Sequence, residues 1–335
     1  MSFPSRRFPT TRLRRLRQAA WSRQLVQEHR LCPADLIWPV FIVEGEQQRI
    51  AIESMPEVMR LSIDQLLIEA QQAQTLGIPA IALFPVIDPA LKTATGDEAL
   101  NPDNLICRAI HSLRAAALDI GIICDVALDP YTNHGHDGVI INGDVDNDAT
   151  VELLTQQAVI QAQAGCQIIA PSDMQDGRVG AIRQALDQAG FYQVMILAYA
   201  AKYCSHFYGP FRDALGSQQS LANKGKHTYQ QPITNSDEAL HEVALDLQEG
   251  ADMVMVKPAM PYLDVIYRIK QTFHVPTFAY QVSGEYTMLH HLAQTTHTNV
   301  ETLLIESLLS CKRAGSDAII TYAAKQIAQS LSQKN

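Results

Sequence analysis

Short apolar runs rich in β-branched residues alternate with helical patterns along most of the chain. The runs beyond about residue 35 have the length of strands, and they cover 36–43, 80–84, 121–127, 166–170, 193–198, 252–256, 277–281 and 318–322. Between them lie periodic stretches rich in Ala, Leu and Gln, at 63–76, 104–119, 150–164, 178–188, 236–249, 262–272 and 300–314. Several of these end in a glycine, the usual helix stop.

Eight strand–helix alternations predict an α/β fold with a parallel sheet, and eight is the number of strands that closes a (β/α)8 TIM barrel. A doubly wound open sheet is the alternative, but it should show a glycine fingerprint after its first strand, and none is present. We expect an N-terminal extension over 1–33 and a catalytic barrel over 34–331. The polar segment of about 203–232 is longer than a barrel loop needs to be, which is typical of a lid.

Composition narrows the class of protein. The chain has 335 residues, of which 47% are hydrophobic, and this fits one barrel of ~250 residues plus an extension. No apolar run reaches the ~18 residues of a membrane span, so we expect no membrane association. Six cysteines without a CxxC pair favour reduced thiols in the cytoplasm. The net charge of −9 argues against general nucleic-acid binding.

Seven arginines crowd residues 6–23, against the acidic balance of the whole chain. One interpretation is a solvated basic arm. The other is an arm that docks on another subunit, because Trp21, Leu25 and Val26 give it apolar surface to bury.

Polar residues follow the predicted strands at their carboxyl ends, where the active sites of parallel barrels lie. Together they would form a ring on one face, made of Asp125, Ser172, Asp173, Lys202, Lys257, Ser283 and Tyr322.

Lys257 and Lys202 are the most informative members of this ring. Each follows an apolar strand, and either alone could be a strand-end lysine that reaches solvent. Two on neighbouring strands disfavour each other's protonation, and apolar walls act in the same direction. A free amine of this kind can attack a ketone to form a Schiff base. Tyr322 and Asp125 could then transfer the protons.

The lid offers groups that suit an acidic substrate. Arg212 presents a guanidinium fork that fits a carboxylate, and Lys226, Gln230, Tyr208 and Phe211 accompany it. We therefore expect a substrate with both a ketone and a carboxylate, although a merely solvated loop is the alternative.

At these residues the chain resembles the porphobilinogen synthase family, also called delta-aminolevulinic acid dehydratase. The resemblance covers nearly the whole length and is carried by 54–56 (SMP), 172–174 (SDM), 176–178 (DGR), 200–202 (AAK), 207–213 (FYGPFRD), 255–258 (MVKP) and 281–286 (QVSGEY). It implies a lyase of heme and tetrapyrrole biosynthesis that condenses two molecules of 5-aminolevulinate into porphobilinogen and releases two waters.

The resemblance also implies roles for individual residues. Lys257 matches the Schiff-base lysine for the molecule that supplies the propionate side, and Lys202 the one for the acetate side. Ser283 and Tyr322 match the carboxylate contacts of the first molecule. Those of the second are matched by Arg212, Lys226 and Gln230, while Asp125, Ser172 and Asp173 line the same pocket.

The metal site departs from the zinc-type pattern. Zinc-type members carry three cysteines where this chain has Ala127, Asp129 and Asp137, and two carboxylates suit hard cations. The chain thus resembles the zinc-independent branch, with magnesium or a monovalent cation. Glu242 matches the position of a stimulatory, allosteric magnesium remote from catalysis, and the family implies a homo-octamer whose arms embrace partner barrels.

Two other functions stay open on the residues alone. A Schiff-base aldolase would need only one of the two lysines and no second carboxylate clamp. A catalytically inactive, anion-binding barrel is the other alternative, but intact Lys257, Lys202 and Asp125 argue against it.

Overall fold

Eight parallel strands pair in chain order in the computed structural model, which describes residues 6–215 and 225–333 without the side chains of Arg212 and Asp213. The strands are β1 (Leu36–Ile42), β2 (Ala80–Pro85), β3 (Gly121–Val126), β4 (Ile168–Pro171), β5 (Met195–Lys202), β6 (Met253–Lys257), β7 (Thr277–Gln281) and β8 (Ala318–Thr321). Pairing of β8 with β1, in the register Leu36 to Ile319, closes the barrel. The predicted (β/α)8 fold is therefore confirmed.

Helices cover the outside of the barrel. They are α1 (Ile63–Thr75), α2 (Leu105–Ala115), α3 (Asn147–Ala164), α4 (Arg178–Gln188), α5 (Glu238–Gln248), α6 (Leu263–Phe273), α7 (Ser283–Thr296), α8 (Val300–Ala314) and α9 (Ala324–Gln333). Helices α3 and α8 end at Gly165 and Gly315, whose left-handed backbone conformations suit glycine. The strands are buried almost throughout, because the helices cover one side and the barrel interior the other.

Shorter helices and strands lie outside the barrel and its helices. The arm carries a helix at Ala20–Leu25, and strands Arg49–Ala51 and Met59–Leu61 form an antiparallel pair beside β1. The lid contains a 3-10 turn at His206–Tyr208 and a helix at Gly209–Ala214. No helix among the residues described here is long and apolar enough to cross a membrane.

The sequence pattern missed two outer helices, α7 and α9. Helix α7 has Gly, Thr and His at many positions, and these residues have weak helix propensity. Its stability comes from packing, since Tyr286, Leu289 and Ala293 are buried against the core. Strand β5 also runs to Lys202 rather than ending at residue 198, so this lysine lies within the strand.

Candidate active site

Strand pairing brings the two candidate lysines side by side. Lys257 and Lys202 are the last residues of β6 and β5, and they are direct register partners. Both side chains are almost wholly buried, at 6% and 5% exposure. Because the carboxyl ends of barrel strands form one face, the two amines belong to a single site.

Aromatic rings surround the amine of Lys257. The distance from Nζ to the ring centre is 4.4 Å for Tyr280, 5.1 Å for Tyr199, 5.2 Å for Phe211 and 5.5 Å for Tyr208. These rings displace water and offer only the modest attraction of π faces to a cation. Such a wall favours the neutral amine over the ammonium ion.

The electrostatic environment of Lys257 acts in the same direction. Burial, together with the positive charge of Lys202, lowers the pKa of Lys257 to about 7, although Asp125 opposes the shift. A substantial fraction of Lys257 is therefore a free amine near neutral pH, as nucleophilic attack on a carbonyl requires.

Lys202 has a different surrounding, because its ammonium group is paired. Its Nζ donates to Oδ1 of Asp137 at 3.1 Å and to the carbonyl of Ser172. The buried Asp137 also accepts from Lys226 at 2.5 Å and from the Tyr229 hydroxyl at 2.9 Å. Although burial opposes it, the two ammonium groups hold the pKa of Asp137 below its usual range.

Two other carboxyl groups have raised pKa values. Burial and then the charge of Asp129 raise the pKa of Asp125 to about 7, against the two lysines. Burial raises the pKa of Asp173 to about 6, although Arg178 opposes this shift. Both groups can therefore gain or lose a proton near neutral pH, which suits general acid–base work.

Hydroxyl groups and the backbone of the lid also line the site. The hydroxyls of Tyr322 and Tyr280 lie 3.2 Å apart. Ser283, the first residue of α7, accepts from the backbone N–H of Phe211 at 2.9 Å. The Tyr208 hydroxyl donates to the carbonyl of Lys257 at 3.1 Å. The lid therefore contacts both Lys257 and the start of α7.

The remaining lid residues lie deep in the site. Lys226 and Gln230 are buried, and Oε1 of Gln230 has no hydrogen-bond partner among the described residues. The side chain of Arg212 lies outside the described residues, so its predicted role stays a prediction.

The carboxylates predicted as hard-cation ligands are engaged by ammonium groups. Lys226 lies 3.4 Å from Asp129 and 2.5 Å from Asp137, and Ala127 beside them is buried. Nowhere in residues 6–215 and 225–333 do three or more His, Cys, Asp or Glu side chains form a group that could hold a metal ion.

Glu242 lies apart from the strand-end ring, on α5. It lines a polar cavity of about 350 Å3 together with Asn147, Asp176, His227 and Glu238. Burial raises the pKa of Glu242 to about 6, although Arg178 opposes this. A cation in the cavity would stabilise the ionised form.

Sequence reasoning missed Tyr199, Tyr280 and Tyr229. The first two are interior strand residues, and their aromatic character alone does not distinguish them from ordinary barrel filling. Tyr229 lies in the lid, and only the fold shows that it contacts Asp137.

Known proteins are similar to this chain over nearly its whole length. The family model described as delta-aminolevulinic acid dehydratase matches residues 10–330. The delta-aminolevulinic acid dehydratase of Bradyrhizobium diazoefficiens is 56% identical over 96% of this chain and 90% of its own length. That of Rhodobacter capsulatus is 48% identical, over 96% and 97%.

A solved structure is similar over the same range. The crystal structure of delta-aminolevulinic acid dehydratase from Toxoplasma gondii, in complex with the reaction product porphobilinogen, has a TM-score of 0.94 and 46% identity. The match covers 97% of this chain and 92% of that one.

Proposed function

The chain belongs to the delta-aminolevulinic acid dehydratase family, and we propose that it condenses two 5-aminolevulinate molecules into porphobilinogen through Schiff bases on Lys257 and Lys202. The observation that carries this proposal is the register pairing of the two lysines at the mouth of the barrel. An aldolase needs one reacting amine, whereas a condensation of two ketones can use one amine for each. The product feeds tetrapyrrole biosynthesis.

The proposed order of reaction follows from the different surroundings of Lys257 and Lys202. The neutral amine of Lys257 attacks the ketone of the first molecule, and the carbinolamine loses water to give the imine. We assign to Asp125 the acceptance and return of the protons of these steps, since its charge interacts with that of Lys257 and its pKa is about 7. Lys202 is engaged in an ion pair with Asp137, so we assign it to the second molecule.

The carboxylates of the two substrates would have separate partners. Ser283 contacts Phe211 and Tyr322 contacts Tyr280, and the rings of Phe211 and Tyr280 lie beside Lys257, so we assign Ser283 and Tyr322 to the first molecule. Lys226 and Gln230, with Arg212 from the lid helix, suit the second, and Lys226 would then exchange its contact with Asp137 for the substrate carboxylate.

A single variant separates the condensation from an aldolase reaction. Lys202→Ala should keep the borohydride-trapped adduct on Lys257 and lose porphobilinogen formation by about 1,000-fold or more, because the second amine is absent. The measurement combines a pyrrole colour assay with peptide mass mapping. Lys270→Ala is the control, since Lys270 pairs with Asp317 just before β8, at the end of the barrel opposite the strand-end ring. Near-normal turnover of Lys202→Ala would show that one lysine suffices.

We further propose that the chain belongs to the zinc-independent branch. Ala127 offers no ligand, and Asp129 and Asp137 already neutralise ammonium groups, so no step is assigned to a metal at this place. Chelation with dipicolinate should leave most of the basal turnover, measured beside total metal analysis. Activity that disappears and returns only with zinc would refute the assignment.

A magnesium ion at Glu242 is the second part of this proposal. Glu242, Glu238 and Asp176 line one polar cavity but do not form a three-ligand group, and hydrated magnesium is held by one or two carboxylates. Bound there, it would supply charge that stabilises the adjoining lid residues, including Gln230, and take no part in the reaction itself. We also place the enzyme in the cytoplasm as a homo-octamer.

A further inference from the structure

Glu285 is a buried carboxylate at an unusual place in the fold. Its side chain is 0% exposed, and within the described residues no lysine, arginine or histidine pairs with it. Its partners are three backbone N–H groups, of Val282 at 2.7 Å, Ala259 at 3.3 Å and Met260 at 2.5 Å. Burying a carboxylate without a cationic partner costs free energy. Packing alone does not explain why a carboxylate with three backbone hydrogen bonds stands here.

These bonds join the two segments that carry reacting groups. Ala259 and Met260 follow Lys257 directly after its proline, and Val282 immediately precedes Ser283. One carboxylate thus ties the turn after β6 to the start of α7. On the other side, the carbonyl of Lys257 accepts from the N–H of Tyr203 at 2.9 Å, which fixes the end of β6.

We propose that Glu285 is a positioning residue that sets the separation between the Lys257 amine and the Ser283 hydroxyl. The inference rests on the proposed function, in which the substrate forms a covalent bond at its ketone and a hydrogen bond at its carboxylate. A ligand held at both ends is sensitive to that separation, and a misplacement of about 1 Å can cost roughly 100-fold in rate. A ligand held only at its ketone is not sensitive to this separation.

Glu285→Gln is the isosteric variant that tests this role. An amide has one acceptor oxygen, and its NH2 group would face a backbone N–H that also donates. At least one of the three bonds is therefore lost without a change of volume. Glu285→Asp is the second variant, since it keeps both oxygens but withdraws them by one methylene.

Asp252→Asn is the matched control. Asp252 precedes β6 and accepts from the N–H of Ile196 at 2.7 Å, so it also bridges neighbouring segments through a backbone bond. It lies at the opposite, N-terminal end of the strand from Lys257. A general loosening of the barrel would affect both variants alike.

The experiment compares two ketones of equal length under borohydride. 4-Oxopentanoate has a ketone and a carboxylate, whereas 2-pentanone lacks the carboxylate. In Glu285→Gln, trapping of 4-oxopentanoate on Lys257 should fall by about tenfold or more. Trapping of 2-pentanone on the same lysine should stay within about twofold of that in the wild type. The KM for 5-aminolevulinate should rise by a larger factor than that by which kcat falls. Asp252→Asn should leave the trapping of both ketones, KM and kcat unchanged.

Other outcomes overturn the proposal. An equal loss for both ketones, or the same loss in Asp252→Asn, would assign Glu285 to stability alone. Unchanged trapping in Glu285→Gln would remove its role altogether. If neither Glu285 variant folds by circular dichroism, the residue serves the barrel and not the site. Failure of the wild type to trap either ketone would instead refute the proposed function.

Discussion

Lys257 and Lys202 have the same side chain and neighbouring positions, yet their surroundings differ. Aromatic rings enclose the first, and a carboxylate pairs with the second. The low dielectric of the aromatic wall raises the free energy of the ammonium ion. Lys202 instead has Asp137 as an ion-pair partner. On this difference we base the proposed order in which the two amines react.

The rate of adduct formation should follow the ionisation of Lys257. Its pKa of about 7 means that lowering the pH to 5 leaves roughly one amine in a hundred unprotonated. Trapping of 4-oxopentanoate by short borohydride pulses should therefore rise through pH 7 and level off above it. The measurement is the initial rate of labelled Lys257 peptide between pH 5 and 9.

A control for this profile uses Asp125. Because its charge opposes the lowering of the Lys257 pKa, Asp125→Asn should move the midpoint to lower pH. A wild-type rate that still rises about tenfold per pH unit at pH 9 would mean that Lys257 has an ordinary lysine pKa, contrary to the burial argument.

Among the elements, the lid turn and the start of α7 approach each other closely. A Cβ on Gly284 would lie 2.5 Å from the carbonyl oxygen of Phe207 and 2.9 Å from its Cα. Both neighbours are backbone atoms, so the turn His206–Tyr208 would have to move. That turn carries Tyr208, whose ring lies over Lys257 and whose hydroxyl binds the Lys257 carbonyl.

Gly284→Ala should therefore reduce turnover by roughly 10-fold to 100-fold through displacement of the lid. Gly209→Ala is the control, since no atom lies within 4 Å of the added Cβ. Turnover and urea unfolding should be measured on both. Equal, near-wild-type activities would show that the turn adapts without disturbing the site, whereas a large drop in unfolding free energy would indicate damage beyond the lid.

At the scale of the whole molecule, the arm presents apolar surface to solvent. Phe8, Trp21 and Leu25 are 75%, 70% and 77% exposed. Large side chains at these exposures are typical of a protein–protein contact. They support the proposed assembly, in which arms pack on neighbouring barrels, and the arm's arginines could meet the acidic cavity at Glu242.

Magnesium binding and assembly should then be linked. Glu242→Ala should lose most magnesium stimulation and sediment as smaller oligomers, with basal turnover retained, because an ion that binds one assembly stabilises it. Deletion of residues 1–17 should act in the same way. Analytical ultracentrifugation with and without magnesium is the measurement, and Glu152→Ala on α3 is the control. A Glu242→Ala enzyme that stays large and responds to magnesium would contradict the site.

The sequence by itself determined the class of fold and brought the candidate reacting residues to one face. Strand and helix periodicities are local, so eight alternations predicted the barrel, and strand ends located Asp125, Lys202 and Lys257 on one face. The local nature of these patterns also explains why helix α7 was missed. Helix α7 has weak propensity and forms through packing, so no local pattern assigned a role to Glu285, although it stands in the QVSGEY motif.

Only the tertiary structure decided how these residues behave. The partner of Lys202 is Asp137, 65 positions away, and the rings around Lys257 come from β5, β7 and the lid. Ionisation depends on burial and on charges within a few ångströms, which contacts between distant segments create. The residue types at the strand ends predict a site, whereas the lowered pKa of Lys257 and the ion pair of Lys202 follow from the closed barrel.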